Sequence, residues 1–198
     1  MPTLNALYWE NRYQQGQTGW DMGSAGTPLT EYCKQINSKK SHILIPGCGN
    51  AYESSALLDA GFKNITLLDF AETPVNDART KFSEAINDGR LKVICEDFFE
   101  HNATYDLILE QTFFCAIHPA MRPGYAKQMF NLLNPNGKLA GVLFDFPLTD
   151  EGPPFGGNMD VYKEYFSPYF AINKIEKCYN SIKPRQDREL FFILQKSN

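Results

Sequence analysis

No two cysteines stand in CxxC spacing, and the five present, Cys33, Cys48, Cys95, Cys115 and Cys178, are odd in number. That pattern excludes a disulfide framework and the usual cysteine half of a zinc site. The three histidines, His42, His101 and His118, stand alone, so no metal is expected. Long apolar runs are missing too. No stretch approaches the ~18 apolar residues of a membrane span, and Met1 to Trp20 is polar, without a signal-peptide core. A reduced, cytoplasmic compartment and no membrane partner are expected. Positive charge is scarce as well: the formal net charge is −4. The densest basic stretch, Lys174 to Arg188, is interrupted by Glu176, Asp187 and Glu189 and reads as a solvated strand face. Without a basic stripe, a nucleic-acid partner is not expected. Repeats, low-complexity tracts and linkers are absent, so one domain over residues 1–198 is expected, acting as a monomer.

What is present alternates between strand and helix. Trp9 to Tyr13 reads as a short helix and Gly16 to Gly26 as a loop. Thr27-Pro28 and Thr73-Pro74 read as helix caps followed by a first-turn proline. Residues 42–46, 64–69, 91–95, 106–109, 138–144, 171–179 and 190–195 read as strands. Helical faces fall between them, at 54–59, at Val75, Ala78, Phe82 and Ala85, and at Tyr125, Met129, Leu132 and Leu133. Asn134-Pro135-Asn136-Gly137 is a strong turn. Repeated βα units closed by a β-hairpin imply an α/β fold, a doubly wound, mostly parallel seven-stranded sheet with one antiparallel strand. Ligands in such sheets bind at the carboxyl ends of the strands, near the topological switch point. Here those ends are Gly47, Asp69, Asp97, Gln111 and the loop after Phe144.

Gly47-Cys48-Gly49 follows a strand and opens a helix, where glycines let the backbone approach a ligand. Asp69 ends the next strand and can accept hydrogen bonds from both hydroxyls of a ribose. A dinucleotide loop wants a third glycine where this chain has Tyr52, and Glu53 would repel a pyrophosphate. Glu53 reads equally well as a first-turn acid complementing its own helix dipole. Asp97-Phe98 follows the third strand and offers an adenine edge a polar group and a ring. A nucleoside ligand without phosphates, such as S-adenosylmethionine (AdoMet), fits these residues.

Together they resemble the thiopurine S-methyltransferase family, which includes plant halide/thiol methyltransferases. The resemblance runs through Trp9-Glu10-Asn11-Arg12-Tyr13 to Gly19-Trp20-Asp21, then Leu44-Ile45-Pro46-Gly47-Cys48-Gly49 and Asp97-Phe98-Phe99. It continues through Phe113-Phe114-Cys115-Ala116-Ile117, Pro119, Arg122 and Tyr125-Ala126 to Gly152-Pro153-Pro154-Phe155. It implies a Rossmann-like class I methyltransferase fold, with residues 1–41 as an N-terminal lid plus first helices and 42–198 as the core. It implies that Trp9, Tyr13 and Trp20 wrap AdoMet, that Gly47 and Gly49 meet its methionine part, and that Asp69 meets the ribose. Asp97 and Phe98 match the adenine-contacting pair. Gln111 matches a cofactor-contacting position that is Tyr in the plant members. The third glycine of the loop is Ala51 here.

The implied chemistry is methyl transfer to a small-molecule acceptor, leaving S-adenosylhomocysteine. Aromatic faces attract the sulfonium cation of AdoMet. Transfer is an in-line displacement that needs alignment and exclusion of water. A thiol ionises near neutral pH more readily than an alcohol, a halide or hydrosulfide needs no base, and the sequence shows no obvious Ser/His/Asp or Cys/His pair. Arg122, matching an active-site arginine of the family, is expected to orient an anionic acceptor. Asp21, Phe114, Tyr125 and Phe155 are expected on the acceptor side, with Cys115 as a small buried hydrophobe. Phe146-Pro147 and Pro153-Pro154-Phe155 are expected to form the outer wall, and 152–157 a loop able to gate access. Nitrogen, oxygen, halide or metalloid acceptors are the alternative, as is a non-catalytic AdoMet-binding module. Nucleic-acid amino-methyltransferases carry an Asn/Asp-Pro-Pro-aromatic segment after strand four, and here that segment is Glu110-Gln111-Thr112-Phe113.

Overall fold

The computed structural model describes residues 3–197; residues 1, 2 and 198, the outermost of the expected domain, lie outside that range. The chain enters through α1 (Ala6–Gln14) and α2 (Thr27–Lys34) and then alternates: β1 (His42–Pro46), α3 (Tyr52–Asp59), β2 (Asn64–Asp69), α4 (Glu72–Lys81), α5 (Ser83–Asn87) and β3 (Leu91–Cys95). It continues with β4 (Tyr105–Gln111), α6 (Arg122–Asn131), β5 (Leu133–Phe144), α7 (Met159–Phe166), β6 (Phe170–Lys177) and β7 (Glu189–Lys196). The seven strands form one sheet in the order β3-β2-β1-β4-β5-β7-β6. Strands β1 to β5 pair parallel, and β7 runs antiparallel to both β5 and β6. The order reverses between β1 and β4, so the switch point lies at their carboxyl ends.

Strands covered on both faces must be apolar on both. In β1 and β4, Leu44 and Ile108 face one core cluster, while Ile43, Ile45, Leu107 and Leu109 face the other. The first cluster is rich in rings, among them Phe98, Phe114, Tyr125, Tyr162, Phe166 and Phe192. The second is mainly aliphatic and lies under α2, α3 and the α4–α5 pair.

Three local expectations change. Neither threonine is a cap: Thr27 and Thr73 lie in the first turns of α2 and α4, and Gly26 and Ala71 take the cap positions. The helix expected to run through Ala85 breaks at Phe82 into α4 and α5. The Asn134–Gly137 turn lies inside β5, with Asn136 at φ 64° and the β4–β5 register shifting between Tyr105 and Leu107. The sequence reading had no helix at α7, although Asn158 caps it by accepting from the N–H groups of Asp160 and Val161.

Candidate active site

The carboxyl ends of β1 to β4 open into a cavity of about 1280 Å³. The loop after β1 turns through left-handed backbone at Gly47 (φ 56°), Gly49 (φ 47°) and Ala51 (φ 50°). A side chain at Gly47 would also collide with Phe113, whose Cδ2 lies 2.4 Å from the position a Cβ would take. Only glycine satisfies both demands. The loop is tied to β2 by Cys48 N–H to Leu68 O (3.1 Å) and Gly49 N–H to Asp69 Oδ2 (3.1 Å). Asp69 also accepts from Ala71 N–H at 3.1 Å. Burial raises its pKa, and the hydrogen bonds from Ala71, Gly49 and Phe70 oppose that rise. Each carboxylate oxygen thereby keeps a lone pair for a ligand hydroxyl. Asp97 and Phe98 line the cavity beyond β3, with Phe98 packed edge-to-face on Phe99 and Phe113.

The N-terminal segment closes over this half. Trp9, Tyr13 and Trp20 all line the cavity, and Trp20 meets both other rings edge-on at 5.3 and 5.5 Å. The Tyr13 hydroxyl reaches over Gly49, 2.9 Å from where a Cβ would sit. Carboxylates hold the segment down. Glu10 accepts from Thr73 N–H (2.9 Å) and Oγ1 (2.6 Å), and Asp21 accepts from Asn50 Nδ2 (2.7 Å) and Tyr52 Oη (3.2 Å). Glu53 lies in the first turn of α3 and lines the cavity, and its carboxylate also accepts the N–H of Gly26, at the start of α2, at 3.0 Å. It caps a neighbouring helix.

At the switch point, β4 ends in a forced turn. Thr112 sits at φ 62°, costly for a β-branched residue. The buried Glu110 carboxylate holds this turn, accepting from Phe113 N–H (2.8 Å), Phe114 N–H (2.9 Å) and the Tyr125 hydroxyl. Gln111 lines the cavity with both polar atoms of its amide buried and unpartnered within the protein. Such an amide is costly unless a ligand satisfies it.

The far half is walled by Phe144, Phe146, Pro153 and Pro154, with Arg185 and Arg188 among them. Arg185 is 8% exposed; it donates to Trp20 O (2.8 Å) and Glu189 Oε1 (3.3 Å) and lies over the Phe144 ring. Arg188 lies over Phe146. Both come from the stretch read as a solvated strand face; β6 itself is exposed at Lys174, Glu176 and Lys177, and the reading is corrected only for these two, which the turn before β7 carries to the cavity. Their basic character was legible, their direction was not.

Asp21 and all nine residues expected around the cofactor line the cavity. Four residues expected on the acceptor side do not: Phe114, Arg122, Tyr125 and Phe155 are each 0–1% exposed and lie behind the wall. The Tyr125 hydroxyl is spent on Glu110, and Phe114 lies beneath the Arg122 guanidinium at 4.4 Å. Arg122 donates to Gly156 O (2.9 Å) and Phe155 O (3.1 Å). A guanidinium occupied with two buried carbonyls cannot also orient an acceptor in the cavity, so the contact expected for it is corrected. The 152–157 segment is not a loose gate, because Phe155 N–H donates to Cys115 O and Gly157 N–H to Phe146 O, each at 2.8 Å.

A family model for thiopurine S-methyltransferase matches residues 4–193. The chain belongs to the thiopurine S-methyltransferase family. Among its relatives, a probable thiol methyltransferase 2 of Arabidopsis thaliana is 33% identical over 96% of this chain and 85% of its own length. Thiocyanate methyltransferase 1 of Brassica oleracea is 32% identical over 91% and 81%. The fold is shared with the 1,6-didemethyltoxoflavin-N1-methyltransferase of Burkholderia thailandensis, solved with S-adenosylhomocysteine bound. Its TM-score is 0.78 at 16% identity, over 98% of this chain and 88% of that one. As a family member this chain is an AdoMet-dependent methyltransferase of class I fold acting on a small-molecule acceptor. The residues present fit AdoMet: the family's glycine loop is sterically required, Asp69 keeps free lone pairs, and the Gln111 amide lacks a partner.

Proposed function

We propose that this enzyme methylates the sulfur of a small soft nucleophile, a thiol or hydrosulfide. The observation that carries the reading is the makeup of the far half of the cavity: cations and apolar walls, with no free base. Cys115 donates its thiol to Thr112 O at 3.1 Å, and burial pushes its pKa up to about 12, so it is no nucleophile. His118 Nδ1 accepts from Ala120 N–H (3.2 Å), which leaves the proton of a neutral ring on Nε2. Such a pocket suits an acceptor that arrives ionised, as thiols do far more readily than alcohols.

Bound AdoMet supplies a methyl group on a sulfonium centre. Gly47, Gly49 and Gln111 would hold its methionine part, Asp69 the ribose, and Asp97 with Phe98 the adenine. Trp9, Tyr13 and Trp20 would cover it and exclude water, with Asp21 pinning the lid. Arg188 would draw an anionic acceptor toward the far half, while Arg185, ion-paired with Glu189, would hold the lid through the Trp20 carbonyl. The enzyme positions two reactants and needs no proton transfer. The relatives' names, thiol and thiocyanate methyltransferase, support the same acceptor class. The free cysteines suit a reducing compartment such as the cytoplasm, and a cavity complete within one chain suits a monomer.

The test is S-adenosylhomocysteine production with a panel of thiols, hydrosulfide, iodide, thiocyanate and matched alcohols and amines. Thiols and hydrosulfide should turn over fastest. Preference for an amine or alcohol would overturn the sulfur assignment, and AdoMet binding without product from any acceptor would favour the binding module.

A further inference from the structure

Arg122 opens α6, is fully buried, and forms no ion pair among the described residues. Burying a guanidinium without a counter-ion is expensive, and an apolar side chain of similar volume would pack there at less cost. Burial lowers its pKa. The cost is offset by the ring of Phe114 beneath it and by two charge-assisted hydrogen bonds to carbonyls of consecutive residues, Phe155 and Gly156. The planar fork of arginine sets one nitrogen on each carbonyl, a fixed two-point contact that the single nitrogen of lysine does not reproduce. Its Nε finds no partner, so the whole interaction is with that one segment.

The segment has no slack. Cys115 O and Phe146 O hold it through the amides of Phe155 and Gly157. A Cβ at Gly156 would lie 2.4 Å from Phe146 O and 2.5 Å from Pro147 O. Pro153 and Pro154, directly upstream of the anchored carbonyls, form part of the cavity wall.

We propose that Arg122 is a positioning residue: it touches no substrate, and by clamping the Phe155 and Gly156 carbonyls it fixes the Pro153–Pro154 wall against which the bulk of a large acceptor packs. The inference rests on the methyl-acceptor reading above. A small ion meets the methyl group at the end of β4 without reaching this wall; an aryl thiol reaches it through its ring. Loosening the clamp therefore changes selection by size and leaves selection by charge alone. An arginine that bound the acceptor would do the reverse.

The experiment compares wild type with Arg122→Lys, which keeps the charge and loses the fork, and Gly156→Ala, which displaces the segment from its other side and leaves Arg122 chemically intact. Ratios of kcat/KM are measured, because they are independent of the folded fraction. Benzenethiolate against hydrosulfide reports size at equal charge, and para-mercaptobenzoate against benzenethiolate reports charge at similar size. The size ratio should fall roughly tenfold in both variants, the scale of a lost apolar contact, while the charge ratio stays within about twofold. A size ratio that holds or rises in either variant, or a charge ratio that shifts in Arg122→Lys, overturns the proposal. Hydrogen exchange at the Phe155 and Gly157 amides tests the clamp without turnover. It should quicken in Arg122→Lys; unchanged exchange overturns the proposal, whereas a wild type inactive on every thiol counts against the sulfur reading alone.

Discussion

On one side of the cavity, β1, β2 and β3 deliver Gly47, Gly49, Asp69, Asp97 and Phe98 from consecutive βα turns, each at the end of its own strand. On the other side, Phe144 ends β5 while Pro153, Pro154, Arg185 and Arg188 come from loops after β5 and before β7, and the wall they form depends on buried groups that never reach the cavity. The first side is made by local rules: strand, tight turn, helix, with an acid at the next strand end. The second is made by packing, and its selectivity rests on how firmly Arg122 and Glu110 hold loops in place. A donor site built by backbone geometry can stay constant while an acceptor site built from loops changes.

That division can be broken most directly at Gly47. Gly47→Ala meets both a φ of 56° and the Phe113 ring, and should weaken AdoMet binding by roughly 100-fold in calorimetry, near 3 kcal/mol. Among folded molecules, the ranking of acceptors should not change. A changed ranking would mean that the two halves are one site.

Arg188→Met removes a cation from the far half and leaves the Arg185–Glu189 pair intact. KM for anionic thiols should rise about tenfold. AdoMet affinity should fall by less, since the lid's ties are untouched. Equal losses would place Arg188 with the cofactor.

Glu110 sharpens the comparison through pH. Burial pushes its pKa from 4.5 to about 7, against the pull of the Tyr125, Phe114 and Phe113 donors. The folded state thus binds the proton more tightly than the unfolded chain. Its stabilising contribution is present below about 4.5 and is lost as pH rises toward 7, amounting to at most about 3 kcal/mol. The Tm of wild type relative to Glu110→Gln should fall across that window, and parallel profiles would refute the assignment.

The smallest effect belongs to the lid. Glu10 has a pKa held low by the Thr73 side chain and backbone, so its tie is present in the ionised form and is lost as pH falls through the lowered pKa. Glu10→Gln should speed AdoMet release about two- to threefold in stopped flow, in keeping with a surface interaction. Wild type should approach the variant in acid.

Most of the donor site was legible because its signals are short-ranged. A glycine loop after an apolar strand and an acid at the next strand end are features of neighbouring residues, and the structure sets them side by side around one cavity. The acceptor side was misread in both directions. Arg122 bears the charge an anion site wants, yet two carbonyls more than thirty residues away occupy it. Arg185 and Arg188 sit among acids in a stretch that reads as solvated, yet both line the cavity, Arg185 buried and Arg188 exposed. Helix α7 went unread because its cap, Asn158, follows a run of glycine and proline that looks like loop.

By itself, then, the sequence determined the alternation of strands and helices, the glycine loop and the acid partners, since backbone conformation and strand-end chemistry are set by adjacent residues. Which way Arg122, Arg185 and Glu110 point was decided only by the tertiary structure. The direction of a charged side chain depends on which distant carbonyls, amides and rings the fold brings within hydrogen-bonding reach, and no spacing along the chain encodes that.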